Sequence, residues 1–165
     1  MLQENGELWR AAPFSAVPTA FPLKIGNRSY YGNCIWDALG IPAMLAQNAR
    51  IDASCGCCNL EMLLKVKNGR LQGSKGWIHI AVPARDWYKD IVFLLLFRSE
   101  QHVDRWCEQW NRPRGGILDL QQGWRLAKEW YGDRLSPAGR PKSASEAQAA
   151  FARIGLKGEF WKLSV

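Results

Sequence analysis

Cys34 and Asp37 stand three residues apart in Tyr31-Gly-Asn-Cys-Ile-Trp-Asp-Ala-Leu-Gly-Ile-Pro-Ala-Met-Leu45, and the next cysteines follow in Cys55-Gly-Cys57-Cys58. If residues 34–47 are helical, Cys34 and Asp37 share a face, because side chains at i and i+3 are neighbours on a helix. Cys34 then opens that helix, where the partial positive charge of the N-terminal amides favours thiolate over thiol. A thiol of lowered pKa beside a carboxylate is a reactive pair, or half of a soft-metal site. The competing reading is a buried structural cysteine, the common fate of free Cys, next to an ordinary helix aspartate. In the second cluster, thiolates at i, i+2 and i+3 can converge on a soft cation, since Gly56 lets the backbone turn tightly. The spacing is not a standard zinc knuckle, and no second Cys-x-x-Cys or histidine pair completes one. A cysteine-rich loop without metal is the alternative. Cys107 lies between tryptophans on an apolar helical stripe and reads as core packing. His79 alternates with apolar strand residues, which suits a surface or network histidine better than a ligand. His102, in the first turn of a helix, reads as solvated.

The elements that must position these residues follow from periodicity. Residues 1–20 contain Pro13 and Pro18 and little pattern, and read as an N-terminal arm. Phe21–Ile25 reads as a strand, with Gly26-Asn27 turning into Arg28–Tyr31. The Cys34 helix carries Ala38, Ile41 and Leu45 on the Cys34 side, and Pro42 inside it predicts a kink or early break. Ala49–Ser54 is extended and leads into the cysteine cluster. Asn68-Gly69 between Leu63–Lys67 and Arg70-Leu-Gln is a type I′ hairpin signal. Trp77–Val82 is a further strand. Ile91-Val-Phe-Leu-Leu-Leu-Phe97, apolar on both faces, reads as the central one. Ser99 can cap a helix through about Trp110 with an apolar stripe of Val103, Trp106, Cys107 and Trp110. Gly116–Leu120 is a short strand or bend, after which Asp119 can cap a helix over Gln121–Tyr131 with Trp124, Ala127 and Tyr131 inward. Ser143-Ala-Ser-Glu146 is a capping box opening a last helix that Gly155 ends. Phe160-Trp161 should pack back on the body. Strands and helices mix without a regular βαβ order, so the expected class is α+β, a mainly antiparallel sheet flanked by helices.

The bulk numbers set limits. The chain has 165 residues, enough for one domain with a real core. Hydrophobic residues make up 47% and charged residues 22%, an ordinary globular balance. No apolar run approaches the ~20 residues of a membrane span, and the N-terminus shows no basic-then-apolar leader. A cytoplasmic location is the expectation. Five cysteines is an odd count, and without a leader their clustering points to metal or redox chemistry before disulfides. The net charge of +7 fits a soluble basic surface. Nucleic-acid binding is disfavoured, since the basic residues are spread among acids and tryptophans and no recognition motif accompanies them.

The segment Cys34-Ile-Trp-Asp37-Ala-Leu-Gly-Ile-Pro-Ala-Met-Leu resembles the Cys-Ala-x-Asp-x-Leu-x-x-Pro-x-Leu segment of organomercurial (alkylmercury) lyases. Phe21–Gly32 resembles the strand and turn before that helix. Ala49–Cys55 resembles the following strand, which also ends in cysteine. Ile91–Ser99, Asp104-Arg-Trp106, Gly115–Leu120 and Trp124–Lys128 resemble the family's final strand–helix–strand–helix. The likeness covers roughly residues 21–135, leaving 1–20 as an arm and 136–165 as a C-terminal helical extension. It implies that two cysteine thiolates and an aspartate cleave a carbon–mercury bond, with Cys34 as nucleophile and metal ligand and Asp37 as proton carrier. It implies no required cofactor, and a small organometal or soft metal (Hg, with Zn or Cu as alternatives) as substrate, product or ligand. Three departures stand out. The strand matching Ile91–Phe97 lacks the family's second catalytic cysteine. The family's N-terminal winged-helix-like domain is missing or reduced to the arm, and Ser143–Val165 extends past the core. Cys55, Cys57 and Cys58 are the candidates to replace the missing metal ligand. A non-catalytic cysteine-based metal-binding protein is the alternative, followed by a redox sensor that joins Cys34 to the loop.

Overall fold

The computed structural model describes residues 6, 8–73, 75–87 and 94–163. Seven short strands form one antiparallel sheet: β1 (Arg10–Ala11), β2 (Phe14–Ser15), β3 (Pro22–Ile25), β4 (Arg28–Gly32), β5 (Ala49–Ser54), β6 (Glu61–Lys67) and β7 (Arg70–Gly73), in the order β1-β2-β4-β3-β5-β6-β7. Three more, β8 (Trp77–Ile80), β9 (Leu95–Phe97) and β10 (Gly116–Asp119), form a second antiparallel sheet in the order β10-β8-β9. The helices are α1 (Ile35–Leu45), α2 (Glu100–Gln109), α3 (Leu120–Tyr131) and α4 (Ala144–Ile154). This is the expected α+β class. No helix among the described residues is long and apolar enough to cross a membrane.

The large sheet obeys the period of two that pleating imposes. Ala49, Ile51 and Ala53 of β5 and Met62, Leu64 and Val66 of β6 face inward, while Arg50, Lys65 and Lys67 face out. The buried face receives α1, which lies between the sheet and α3. A helix covered on two sides should be apolar nearly all round, and α1 buries Ile35 and every residue from Asp37 to Pro42. Its start comes so close to β4 that a Cβ on Gly32 would lie 2.5 Å from the Ala38 nitrogen. The hairpin turn has Asn68 at φ +50° and Gly69 at φ +70°, as a type I′ turn requires. Asp119 and Ser143 cap α3 and α4 through complete capping boxes, and Ser99 caps α2.

Three expectations change. Pro42 does not break α1: the helix runs on to Leu45 and closes at Ala46, in the left-handed region at φ +51°. Pro42 loses one amide bond but lies in a densely packed segment, and its carbonyl accepts from Gln47 at 3.2 Å. The apolar run at 91–97 is not the central strand. Its described strand, Leu95–Phe97, is an edge of the small sheet, and residues 91–93 lie outside the described residues. The middle strand is Trp77–Ile80, with Ile78 and Ile80 on one face and His79 on the other. All three are buried, because α2 covers the His79 face. The arm is not featureless, since β1 and β2 extend the large sheet along β4. The last segment folds back: Trp161 meets Trp87 and Phe151 edge to face.

Gly32→Ala should cost ~1–3 kcal/mol, because the added methyl meets backbone and the helix must move. A urea midpoint equal to wild type would contradict this close approach.

Candidate active site and a neighbouring thiol cluster

Cys34 is the N-cap of α1, extended at φ −147°, and its side chain makes no capping hydrogen bond. The next amide, Ile35, donates to the Leu94 carbonyl at 3.2 Å, which pins the helix start to the segment leading into β9. Asp37 sits in the first turn and points inward. Cys34 is 3% exposed and Asp37 8%. Tyr131, at the end of α3, donates its hydroxyl to Asp37 Oδ1 at 2.7 Å. The Cys34 and Asn33 side chains lie beside the carboxyl group and favour its charged form. Asn33 Nδ2 further reaches the Pro13 and Phe14 carbonyls at 3.3 and 3.4 Å, so the arm is tied to the site. Gly40, one turn beyond Asp37, leaves the space that the Tyr131 ring fills, and a Cβ there would overlap the ring. Arg134 lies over the outer face of that ring at 4.8 Å. Trp36 packs against Tyr131, Trp130 and Trp87 with centroids 5.5–5.7 Å apart, walling the pair off from the C-terminal extension.

The electrostatics reverse one expectation. Burial pushes the Cys34 thiol up from its ordinary 9.0 to about 12, and the Asp37 charge adds to the rise. The amides of Asp37 and Trp36 at the helix start do favour thiolate, as does that of Leu94, but burial outweighs them. The resting residue is therefore a thiol. Burial also raises Asp37 above the usual carboxylate range, partly offset by the Tyr131 hydrogen bond, by the neighbouring Asn33 and Cys34 side chains and by the charge of Arg134. Tyr131 stays protonated, raised by burial and then by Asp37. A buried thiol proton thus lies against a carboxylate whose own proton affinity is elevated. That arrangement can release a proton from sulfur when a cation binds there and hand it on.

Two of the other predicted ligands, Cys55 and Cys58, gather with a histidine. Among the described residues, one group of three potential ligands has its atoms within 4.8 Å of one another: Cys55, Cys58 and His102. Cys34 and Asp37 do not belong to it, and neither does Cys57, which is half-buried. His102 is not simply solvated. It is half-buried, and its Nδ1 lies 2.9 Å from Ser99 Oγ. His79 lies in a buried network with the Pro113 carbonyl at 3.3 Å and Cys107 Sγ at 3.8 Å. Cys107 is core, as its stripe implied. Cys58 is held below its ordinary value, chiefly by the Leu60 backbone and then by Cys55 and Arg98. All five cysteines are free. Two site residues were missed in the sequence. Tyr131 shows there only as an inward helix position, and His102 stands far from the cysteines along the chain.

The alkylmercury lyase family model matches residues 14–132. The chain belongs to the alkylmercury lyase family. Among solved structures it is similar to one described as the mercury-bound form of MerB2, with 21% identity and a TM-score of 0.65. The match covers 82% of this chain and 66% of that one, just under two thirds of its length, and at that identity it shows a shared fold. No curated protein matches the sequence. The family match begins within the arm, at the residues of β2, and ends just after α3, so α4 and the final turns lie beyond it.

Between pH 9 and pH 12 the unfolded chain has lost the Cys34 proton while the folded chain keeps it. Stability should therefore fall as pH rises through this window, by up to ~1.4 kcal/mol per unit from this group. Urea unfolding across the window should show a shallower fall in Cys34→Ser than in wild type. Equal slopes would mean the thiol is not held protonated.

Proposed function

We propose that the protein captures a small organomercurial, or a related soft organometal, on Cys34 and protonolyses its carbon–metal bond with Asp37 as the proton carrier. The observation that carries this reading is the geometry at the start of α1, where a buried Cys34 stands one turn from a buried Asp37 that Tyr131 holds at 2.7 Å, with burial raising the proton affinity of both. A soft cation binds sulfur far better than oxygen. As the metal bonds to Cys34 Sγ, the thiol proton passes to Asp37. Sulfur then donates electron density to the metal and weakens its bond to carbon. Asp37 returns the proton to that carbon, the hydrocarbon leaves, and the metal stays on sulfur. The carboxylate is regenerated, so atoms and charges balance. Tyr131 positions Asp37 and keeps it from swinging toward solvent.

The second sulfur needs a source. By the resemblance, the family's second cysteine matches the stretch Ile91-Val-Phe-Leu-Leu-Leu-Phe97, whose sequence contains none. The loop thiols gather with His102. We assign the role to an added small thiol, such as a reducing cytoplasm supplies and in which five free cysteines persist. The missing strand cysteine also favours a second reading, a protein that holds a soft metal without turnover.

Reduced protein incubated with phenylmercury and a small thiol should release benzene, measurable in the headspace. Cys34→Ser should abolish benzene release and leave only the phenylmercury held by the other free cysteines. Asp37→Asn should capture the organomercurial yet release benzene ~10²–10⁴-fold more slowly, with Tyr131→Phe between it and wild type. Capture without benzene in wild type would leave the holding protein. Benzene undiminished in Cys34→Ser would exclude both readings.

A further inference from the structure

The geometry points to a second soft-cation site, separate from the Cys34–Asp37 pair, made of Cys55, Cys58 and His102 and taking a thiophilic d10 ion, Zn(II) or Hg(II). Its ligand atoms all lie within 4.8 Å of one another. Cys55 and Cys58 are a Cys-x-x-Cys pair on a turn, the spacing that presents two sulfurs to one tetrahedral ion. The turn is firmly built. Cys55 N donates to the Leu60 carbonyl at 2.9 Å, Asn59 N to the Cys55 carbonyl at 2.8 Å, and Gly56 N to the Leu96 carbonyl at 2.8 Å. Asn59 takes a left-handed φ of +55° to close it. The third ligand comes from the first turn of α2, where Ser99 Oγ orients the imidazole through Nδ1. Ligating histidines characteristically make such an outer contact. Cys55 is buried, His102 half-buried and Cys58 exposed, so the site has a closed floor and an open side. Three protein ligands with an open fourth position describe a site that can load and unload an ion.

The site also stands close to the catalytic pair along one segment. The amide after Cys34 bonds the Leu94 carbonyl, and the amide after Cys55 bonds the Leu96 carbonyl two residues on. Arg98, two residues further along, lies beside Cys58 and brings a positive charge to the edge of the site.

Co(II) titration of reduced, metal-free Cys34→Ser protein tests this without the proposed catalytic thiol. Binding of one equivalent, with sulfur-to-cobalt charge-transfer bands and the intense visible bands of tetrahedral Co(II), is expected. The bands should weaken at least tenfold in apparent affinity in Cys58→Ser and in His102→Ala, and persist in Cys57→Ser. Displacement by Zn(II) would mark a structural ion. Displacement by Hg(II) alone would mark a site for the inorganic product. No bands with Co(II) and no uptake of Zn(II) or Hg(II) would overturn the proposal. So would unchanged bands in a Cys58→Ser/His102→Ala double variant, whatever the outcome of the benzene assay.

Discussion

Asp37 is a carboxyl group placed in an apolar interior, and the hydroxyl that Tyr131 donates at 2.7 Å ties it to the body of the protein. A buried carboxylate without partners costs several kcal/mol, so the local structure is arranged around that contact. α3 must bring Tyr131 over α1, which fixes the Asp119 cap and hence the end of β10. Gly40 must lack a side chain so that the ring can approach. α1 must itself be apolar on nearly every other face, because the sheet lies behind it and α3 in front. The C-terminal extension closes the aromatic wall through Trp87, Phe151 and Trp161, on the far side of Trp36.

Burial decides the chemistry as well as the packing. A helix N-terminus stabilises a neighbouring anion by ~0.3–1 kcal/mol in ordinary settings, whereas removing a thiolate from water costs more. The sum leaves Cys34 protonated at neutral pH. In the proposed mechanism this is useful, because the metal would displace the proton only on arrival, with Asp37 placed to receive it. Leu94 and Leu96, beside the helix start and the cysteine turn, are buried as well.

Much of this was legible in the residues. The Cys-x-x-Asp helix, the Asn68-Gly69 turn and the caps at Ser99, Asp119 and Ser143 are local signals, and local hydrogen bonding decides them. The inward set Trp124, Ala127 and Tyr131 followed from helical period. What was not legible depends on distance in space. Tyr131 meets Asp37 across 94 positions of chain, and no periodicity says which inward tyrosine finds which carboxylate. The pairing of His102 with the Cys55–Cys58 turn is of the same kind. The pKa of Cys34 was misjudged because the helix dipole can be read from position, while desolvation depends on everything packed around the sulfur. The apolar run at 91–97 misled because continuous hydrophobicity reports burial and not a central place in a sheet.

The central claim is that Cys34 takes the metal and Asp37 removes its organic group. Intact-mass analysis with peptide mapping, after one equivalent of phenylmercury and removal of excess small thiol, reads both halves at once. The expected species is mercury without its phenyl group on the Cys34 peptide in wild type, and phenylmercury intact on the same peptide in Asp37→Asn. Intact phenylmercury on wild-type Cys34, or mercury first trapped on another cysteine, would contradict it.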